Sequence, residues 1–344
     1  MRSFFEKRDF VEVQTPILAH EAGGAVARPF HTSASEFPGR QISLRIAPEL
    51  WLKRLVLGGF EKVFEIGPCF RNEGLDANHN PEFTTCEFYE AYARLEDLIT
   101  MTEKLFSEIY SLVVSTVKNR EVALDDPGIE ATPPFGQLEF IPTIEACLKE
   151  SLPNLSSPNA TKELLAIFDK HEIPLPAHPT LPRLLDKLAS TLIEPLCQAP
   201  TFITHHPECL SPLAKSFTQT GTGQQVAASA ELFVKGQEIA NMYEEENSPF
   251  EQRRKFEEAL QYKEHTDSAR KNSEINESYV QALEWGLPPT GGWGCGIDRL
   301  VMLFTGASRI GDVLTFGTLR NVVNLGSAAK AAKKQKQSAK KDDQ

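Results

Sequence analysis

Phe70–Tyr92, FRNEGLDANHNPEFTTCEFYEAY, constrains the fold of this 344-residue chain more tightly than any other stretch. It reads as two strands joined by a polar loop. Gly74, Asp76, Asn78, Asn80 and Pro81 are turn formers, and Phe83–Tyr92 is rich in aromatic and β-favouring residues. Side chains alternate between the faces of a strand, so Arg71 and Glu73 share one face of the first. Phe83, Thr85, Glu87 and Tyr89 share one face of the second. Where those faces coincide, one concave surface carries a guanidinium, two carboxylates, a phenol and an aromatic plate. A guanidinium grips phosphate through a planar fork, and carboxylates beside a phenol suit a cationic ligand. A surface hairpin with solvated charges is the plainer reading. The density of polar groups inside a β-favouring run argues against it.

Composition narrows the class. With 41% hydrophobic and 24% charged residues the chain is ordinary soluble material, long enough for one large domain or two modest ones. No apolar run approaches the roughly 20 residues that span a bilayer. The opening MRSFFEKRDFVEV lacks the h-region of a secretory signal and the acid-poor character of a mitochondrial presequence. Six cysteines without a CxxC pair fit reduced thiols of an intracellular enzyme, and His206-x-x-Cys209 stands without a second pair that could complete a zinc site. The net charge of −11 means that any RNA contact is local.

Other segments supply further elements. A short amphipathic helix precedes a strand over Phe10–Gln14, and Gly23-Gly24 breaks the chain where backbone could approach a ligand. Leu95–Val113 has helical apolar spacing, 114–135 reads as loop, and about 140–200 is a proline-broken helical insertion. Glu231–Val234 and Gln237–Glu245 form a second hairpin through Lys235-Gly236, with Asn241, Tyr243 and Glu245 on one face. Simple alternation puts Glu238 on the opposite face, unless a bulge intervenes. Ser273–Glu284 reads as a helix, and glycines at 292, 294 and 296 leave bare strand backbone for a nucleotide. In the next helix Ile297, Leu300, Val301 and Phe304 form the core stripe, and Arg299 lies off it, free to reach a phosphate. The lysine-rich Ser327–Gln344 reads as a disordered tail, with weak attraction to a phosphate backbone as the alternative.

FRNE, HNPEFT and E-x-Y within 70–89 resemble motif 2 of the class II aminoacyl-tRNA synthetases, in the version found in lysyl-tRNA synthetases. The helix–strand–Pro16 unit resembles motif 1, which builds a dimer interface, and Gly291–Arg299 resembles motif 3. The resemblance implies an α+β catalytic domain over 1–325, an antiparallel sheet flanked by helices, with 326–344 as tail. It implies lysine, ATP and tRNA(Lys) as substrates, Mg²⁺ as cofactor, a homodimer and no membrane partner. By resemblance Arg71 and Arg299 are catalytic, and ATP meets Arg71, Glu73, His79, Asn80, Phe83, Glu231, Glu238 and Arg299. Lysine meets Gly24, Glu49, Arg71, Glu87, Tyr89, Asn241, Tyr243 and Glu245, and Glu231 and Glu238 hold the metal. The chain looks most like the mitochondrial lysyl-tRNA synthetases of fungi, implying the mitochondrial matrix, with the cytoplasm as the alternative.

Two departures stand out. Ser229-Ala230-Glu231 replaces the usual Arg-Phe-Glu, and Leu314–Arg320 replaces a Phe-Pro-Ala-Met stretch. Family members normally carry an oligonucleotide-binding barrel ahead of motif 1, whereas this sequence starts inside motif 1. Adenylate formation is therefore expected to exceed tRNA charging. Lysylation of a protein acceptor and a degenerate, non-catalytic paralogue are the alternatives.

Overall fold

The computed structural model describes residues 1–20, 23–24, 27–120, 128–264 and 275–324. The tail at 326–344 lies outside them, as does Ser273 itself, and the helix expected from Ser273 begins only at Glu277, where the Asn276 side chain caps it by accepting from Tyr279 N–H. Short strands come first: Val11–Glu12 (β1), Leu18–Ala19 (β2), His31–Thr32 (β3) and Ile42–Leu44 (β4). The long hairpin Lys62–Phe70 (β5) and Glu82–Ala91 (β6) follows, then Gly136–Glu139 (β7) and Thr201–Thr204 (β8). Ser216–Thr218 (β9), Gln225–Ala227 (β10), Ser229–Val234 (β11), Gln237–Glu244 (β12) and Thr290–Gly296 (β13) complete the set. Eight of these form one sheet in the order β1-β5-β6-β13-β12-β11-β8-β7. Its six central strands pair antiparallel, and only the edge strands β1 and β7 run parallel to their neighbours.

The helices are Arg2–Glu6 (α1), Glu49–Leu57 (α2), Leu95–Arg120 (α3), Phe140–Leu148 (α4), Ala160–Lys170 (α5) and Leu181–Leu192 (α6). Pro249–Glu264 (α7), Glu277–Leu283 (α8) and Ile297–Thr305 (α9) follow. One face of the sheet turns Phe64, Phe88, Trp293, Met242 and Leu232 into a core shared with α1, α3 and α9. Phe88 and Trp293 stack there with centroids 5.2 Å apart, and burying such aromatic area dominates core energetics. The opposite face is partly covered by α2 and α8 through Leu52, Val56, Tyr279 and Leu283. Helices α4, α5 and α6 build their own apolar cluster against Ile203 and Phe233 of β8 and β11.

Several expectations need correction. The first strand of the hairpin stops at Phe70, so Arg71 and Glu73 stand in the loop, not on a strand face. Arg71 still reaches Pro81 O through its backbone N–H, at 2.8 Å, but Asn72 N–H turns away to Arg28 O. Helix α3 continues through Arg120 rather than giving way to loop at 114. The run Val113–Val117 is poor in helix propensity, yet no Gly or Pro interrupts 95–120. In α9, Val301 is 39% exposed, and Met302 and Leu303 are buried instead. The helix meets the sheet over a wider arc than a four-residue stripe.

Candidate active site

Register on the covered side of the sheet explains why three glycines alternate in β13. Gly292 lies between Tyr89 and Tyr243, and Gly294 lies between Glu87 and Asn241. Paired residues of an antiparallel ladder share a face, so bare backbone floors a trough walled by those four side chains. The floor has no room for more. A Cβ on Gly294 would meet Asn241 Oδ1 at 3.0 Å, and one on Gly292 would collide with Glu245 and the Tyr89 ring.

At one end of the trough lies a buried charge cluster. Glu87, Tyr89 and Glu245 are all buried, Glu245 completely. Burial, with Glu49 nearby, pushes the Glu87 carboxyl up to about 8 against the opposing pull of Arg71 and Arg45. Tyr243 donates its hydroxyl to Glu49 Oε1 at 2.7 Å. Gly24 adopts a positive φ of 95°, which brings its backbone against Glu49; a Cβ there would sit 3.1 Å from Glu49 Cβ. Lys53, which sequence reasoning missed, sits in the middle. Its side chain is wholly buried, and Nζ bonds Glu49 Oε1 at 2.7 Å and pairs with Glu245 Oε2. Its i,i+4 spacing from Glu49 on α2 was the available signal.

At the other end, a cleft of about 210 Å³ brings together Arg71, Glu73, His79, Asn80, Phe83, Glu238 and Arg299. The Arg71 guanidinium carbon lies 5.0 Å from the Phe83 ring centre. Arg299 pairs with Glu238 Oε2 at 3.0 Å and meets His79 Nε2 at 3.1 Å, while Asp76 holds His79 Nδ1 at 2.8 Å. Asn80 does not point a free amide into the cleft. Its Oδ1 accepts from Leu319 N–H at 3.0 Å and its Nδ2 donates to Glu82 O at 2.7 Å, tying the loop to the segment after α9. Glu73 lies in the loop, with Oε1 accepting from the Arg28 N–H at 3.3 Å.

The Glu238 side chain reaches this cleft because the β11–β12 register slips between Leu232 and Phe233. Leu232 pairs with Ala240 but Phe233 pairs with Glu238, so Ile239 is the extra residue. That bulge turns Glu238 onto the face of Glu231 and Asn241, reversing simple alternation. Glu231 stands 3.3 Å from His206 Nε2, and Ser229 Oγ is 3.1 Å from His206 Nδ1. Burial opposes ionisation of Glu231, but His206 and Arg299 prevail and hold its carboxyl below the usual range. Burial and the charge of Glu231 push Glu238 up, against Arg299. Farther back, burial and the acids Asp186, Glu231 and Glu238 raise Glu194 to about 7.

The sequence profile of the class II tRNA synthetases (D, K and N) matches residues 1–320. The chain belongs to that family. It is 45% identical over 326 residues to the mitochondrial lysine--tRNA ligase of Schizosaccharomyces pombe, covering 94% of this chain and 60% of that protein. It is 40% identical to the mitochondrial lysine--tRNA ligase of Saccharomyces cerevisiae, over 94% of this chain and 58% of the relative. It is also 40% identical to the lysine--tRNA ligase of Enterococcus faecalis, over 93% and 62%. The chain thus spans about three-fifths of the length of these relatives. As a class II synthetase fold, it sets its motif 2 hairpin and its motif 3 strand side by side as β6 and β13. Besides Lys53, sequence reading missed the buried Arg45–Glu65 pair, which also engages Thr15 and Pro68 O and braces β5 behind motif 2. It missed Asp298 too, whose Oδ2 accepts from Thr84 N–H at 2.7 Å.

Proposed function

We propose that the chain activates lysine with ATP and passes it to tRNA(Lys). A lysine carboxylate oxygen attacks the ATP α-phosphorus, the bond to the β-phosphate oxygen breaks, and pyrophosphate leaves lysyl-adenylate behind. The terminal ribose hydroxyl of the tRNA then attacks the carbonyl carbon of the mixed anhydride, the ester bond forms, and the bond to the phosphate oxygen breaks to release AMP. One observation carries this reading: a glycine-floored trough joins a pocket of buried carboxylates and phenols to a cleft bearing two guanidiniums and an aromatic plate. An ammonium loses too much solvation to enter an apolar pocket unless acids and acceptors surround it. Glu87, Tyr89 and Glu245 meet that need at one end, and Asn241 stands midway. Arg71, at the mouth of the cleft, would orient the carboxylate and take up charge developing on the α-phosphate. Arg299 would hold the outer phosphates, with His79 beside it and Phe83 stacking on the base. No protein nucleophile is required, since catalysis here is positioning and charge neutralisation.

Glu231 and Glu238 fit Mg²⁺, which takes one or two carboxylates together with phosphate oxygens. The bulge puts both on one face, and burial together with the neighbouring charge of Glu231 already raises Glu238. Bound there, the ion would neutralise phosphate charge. Similarity to two fungal mitochondrial enzymes supports a mitochondrial address, and the exposed edge strand β1 supports a homodimer through the motif 1 unit. Among the described residues no helix is long and apolar enough to cross a membrane. The test is pyrophosphate exchange dependent on both lysine and ATP, followed by transfer to tRNA(Lys). Exchange without transfer, but with lysine appearing on a protein, would favour a protein acceptor. No exchange at all would leave a degenerate paralogue.

A further inference from the structure

Lys53 is a lysine ammonium already seated between the two carboxylates assigned to a lysine substrate. It is wholly buried, bonded to Glu49 Oε1 and paired with Glu245 Oε2. The rings of Tyr89, Tyr243 and Tyr279, from β6, β12 and α8, surround Nζ at 5.9, 5.7 and 5.8 Å. Each carboxylate keeps one oxygen that Lys53 does not take. Glu49 Oε2 faces the Gly24 backbone, 3.3 Å from where a Cβ would stand, and Glu245 Oε1 lies over Gly292. Glu245 Oε1 is buried and has no hydrogen-bond partner. An acceptor in that condition calls for a donor.

We propose that Lys53 is the positioning residue that makes this pocket selective for a diamino acid: it ties Glu49 to Glu245 and presents one oxygen of each. The inference rests on the lysine-activation reading and deepens it. Two buried carboxylates this close cannot both stay ionised without an internal cation. Lys53 supplies that cation from behind and cancels one of the two charges. A substrate then finds two acceptors at fixed separation, one for its α-ammonium at Glu49 and one for its side-chain ammonium at Glu245. The neighbouring groups on β6 do not replace Lys53, since Glu87 is an acid and Tyr89 a phenol.

The test compares Lys53→Met with Lys255→Met in lysine-dependent pyrophosphate exchange. Lys255 is a fair control, because it is also buried and ion-paired, to Glu246 Oε2 at 2.7 Å and to Ala214 O at 2.6 Å. Lys53→Met is expected to raise KM for lysine about tenfold or more while KM for ATP stays within about twofold, because the Glu49 and Glu245 oxygens that would receive the lysine are no longer held in place. The pH profile of its lysine KM should move upward by about a unit, because the burial that already pushes the Glu245 carboxyl up is then no longer opposed by the Lys53 charge. Lys255→Met should lose stability without either change. A folded Lys53→Met with native lysine KM, or with the same losses as Lys255→Met, overturns the proposal. If Lys53→Met does not fold, ¹⁵N-lysine-labelled native chain decides. The slowly exchanging ammonium signal that persists in Lys255→Met should shift on adding unlabelled lysine, and an unmoved signal overturns the proposal. A native chain without lysine-dependent exchange sinks the activation reading itself, whereas an active native chain with an indifferent Lys53→Met sinks only this one.

Discussion

Lysine affinity should rise steeply with pH because of Glu87. Its carboxyl titrates at about 8, so at pH 7 only about one-tenth of it is ionised. An incoming ammonium favours the ionised form, and binding must remove the proton first. That removal costs about 1.4 kcal/mol at pH 7, one pH unit below the group's midpoint. The sign follows directly: the free protein holds a proton that the complex releases, so affinity climbs as pH approaches 8 and levels off above it. Between pH 6 and pH 7 the Kd for lysine should fall about tenfold, and between 7 and 8 about fivefold. Calorimetry in buffers of different ionisation enthalpy would measure the linkage directly, with close to one proton released per lysine bound at pH 7. Glu87→Gln keeps the shape of the side chain and should abolish both the release and this part of the slope. A native chain that binds lysine with no proton release between pH 6 and 7.5 would refute the reasoning. So would a Glu87→Gln variant with the native profile.

The remaining expectations are simpler. Arg71→Ala should lower the exchange rate about 10²–10³-fold with little change in stability, since it removes a donor aimed at developing charge; near-native kcat in single-turnover assays would count against the motif 2 assignment. Arg299→Ala should raise KM for ATP by about 10–100-fold, the scale of a charged hydrogen bond, while KM for lysine holds. Gly292→Ala puts a methyl where Glu245 Oε1 and the Tyr89 ring stand. It should raise KM for lysine at least about tenfold, and unchanged kinetics would mean that the trough is not used. Glu65→Ala strands the buried Arg45 guanidinium and should cost about 3–5 kcal/mol in urea unfolding; a loss below about 1 kcal/mol would show that water reaches the pair.

Strand alternation is a local property, so much of the trough was legible from residues alone. Phe83, Thr85, Glu87 and Tyr89 had to share a face once 82–91 was a strand, and Asn241 and Tyr243 had to share one on β12. The bare glycines announced a floor because no side chain there could be packed. Family resemblance then gave these faces roles that periodicity could not. What the chain could not disclose locally is where a local rule breaks or a distant partner arrives. The bulge at Ile239 depends on β11 and β12 pairing over their whole length, and it alone brings Glu238 beside Glu231. Arg71 and Glu73 leave the strand where the backbone N–H of Arg71 still donates to Pro81 O but that of Asn72 turns away and donates to Arg28 O. Lys53 read as one more charge on an amphipathic helix. Its meaning comes from Glu245, 192 positions away along the chain, and from the burial that makes an unpaired charge intolerable there. The sequence by itself determined which side chains could share a surface. Only the tertiary structure, by excluding water and setting strand register, decided which charges had to pair.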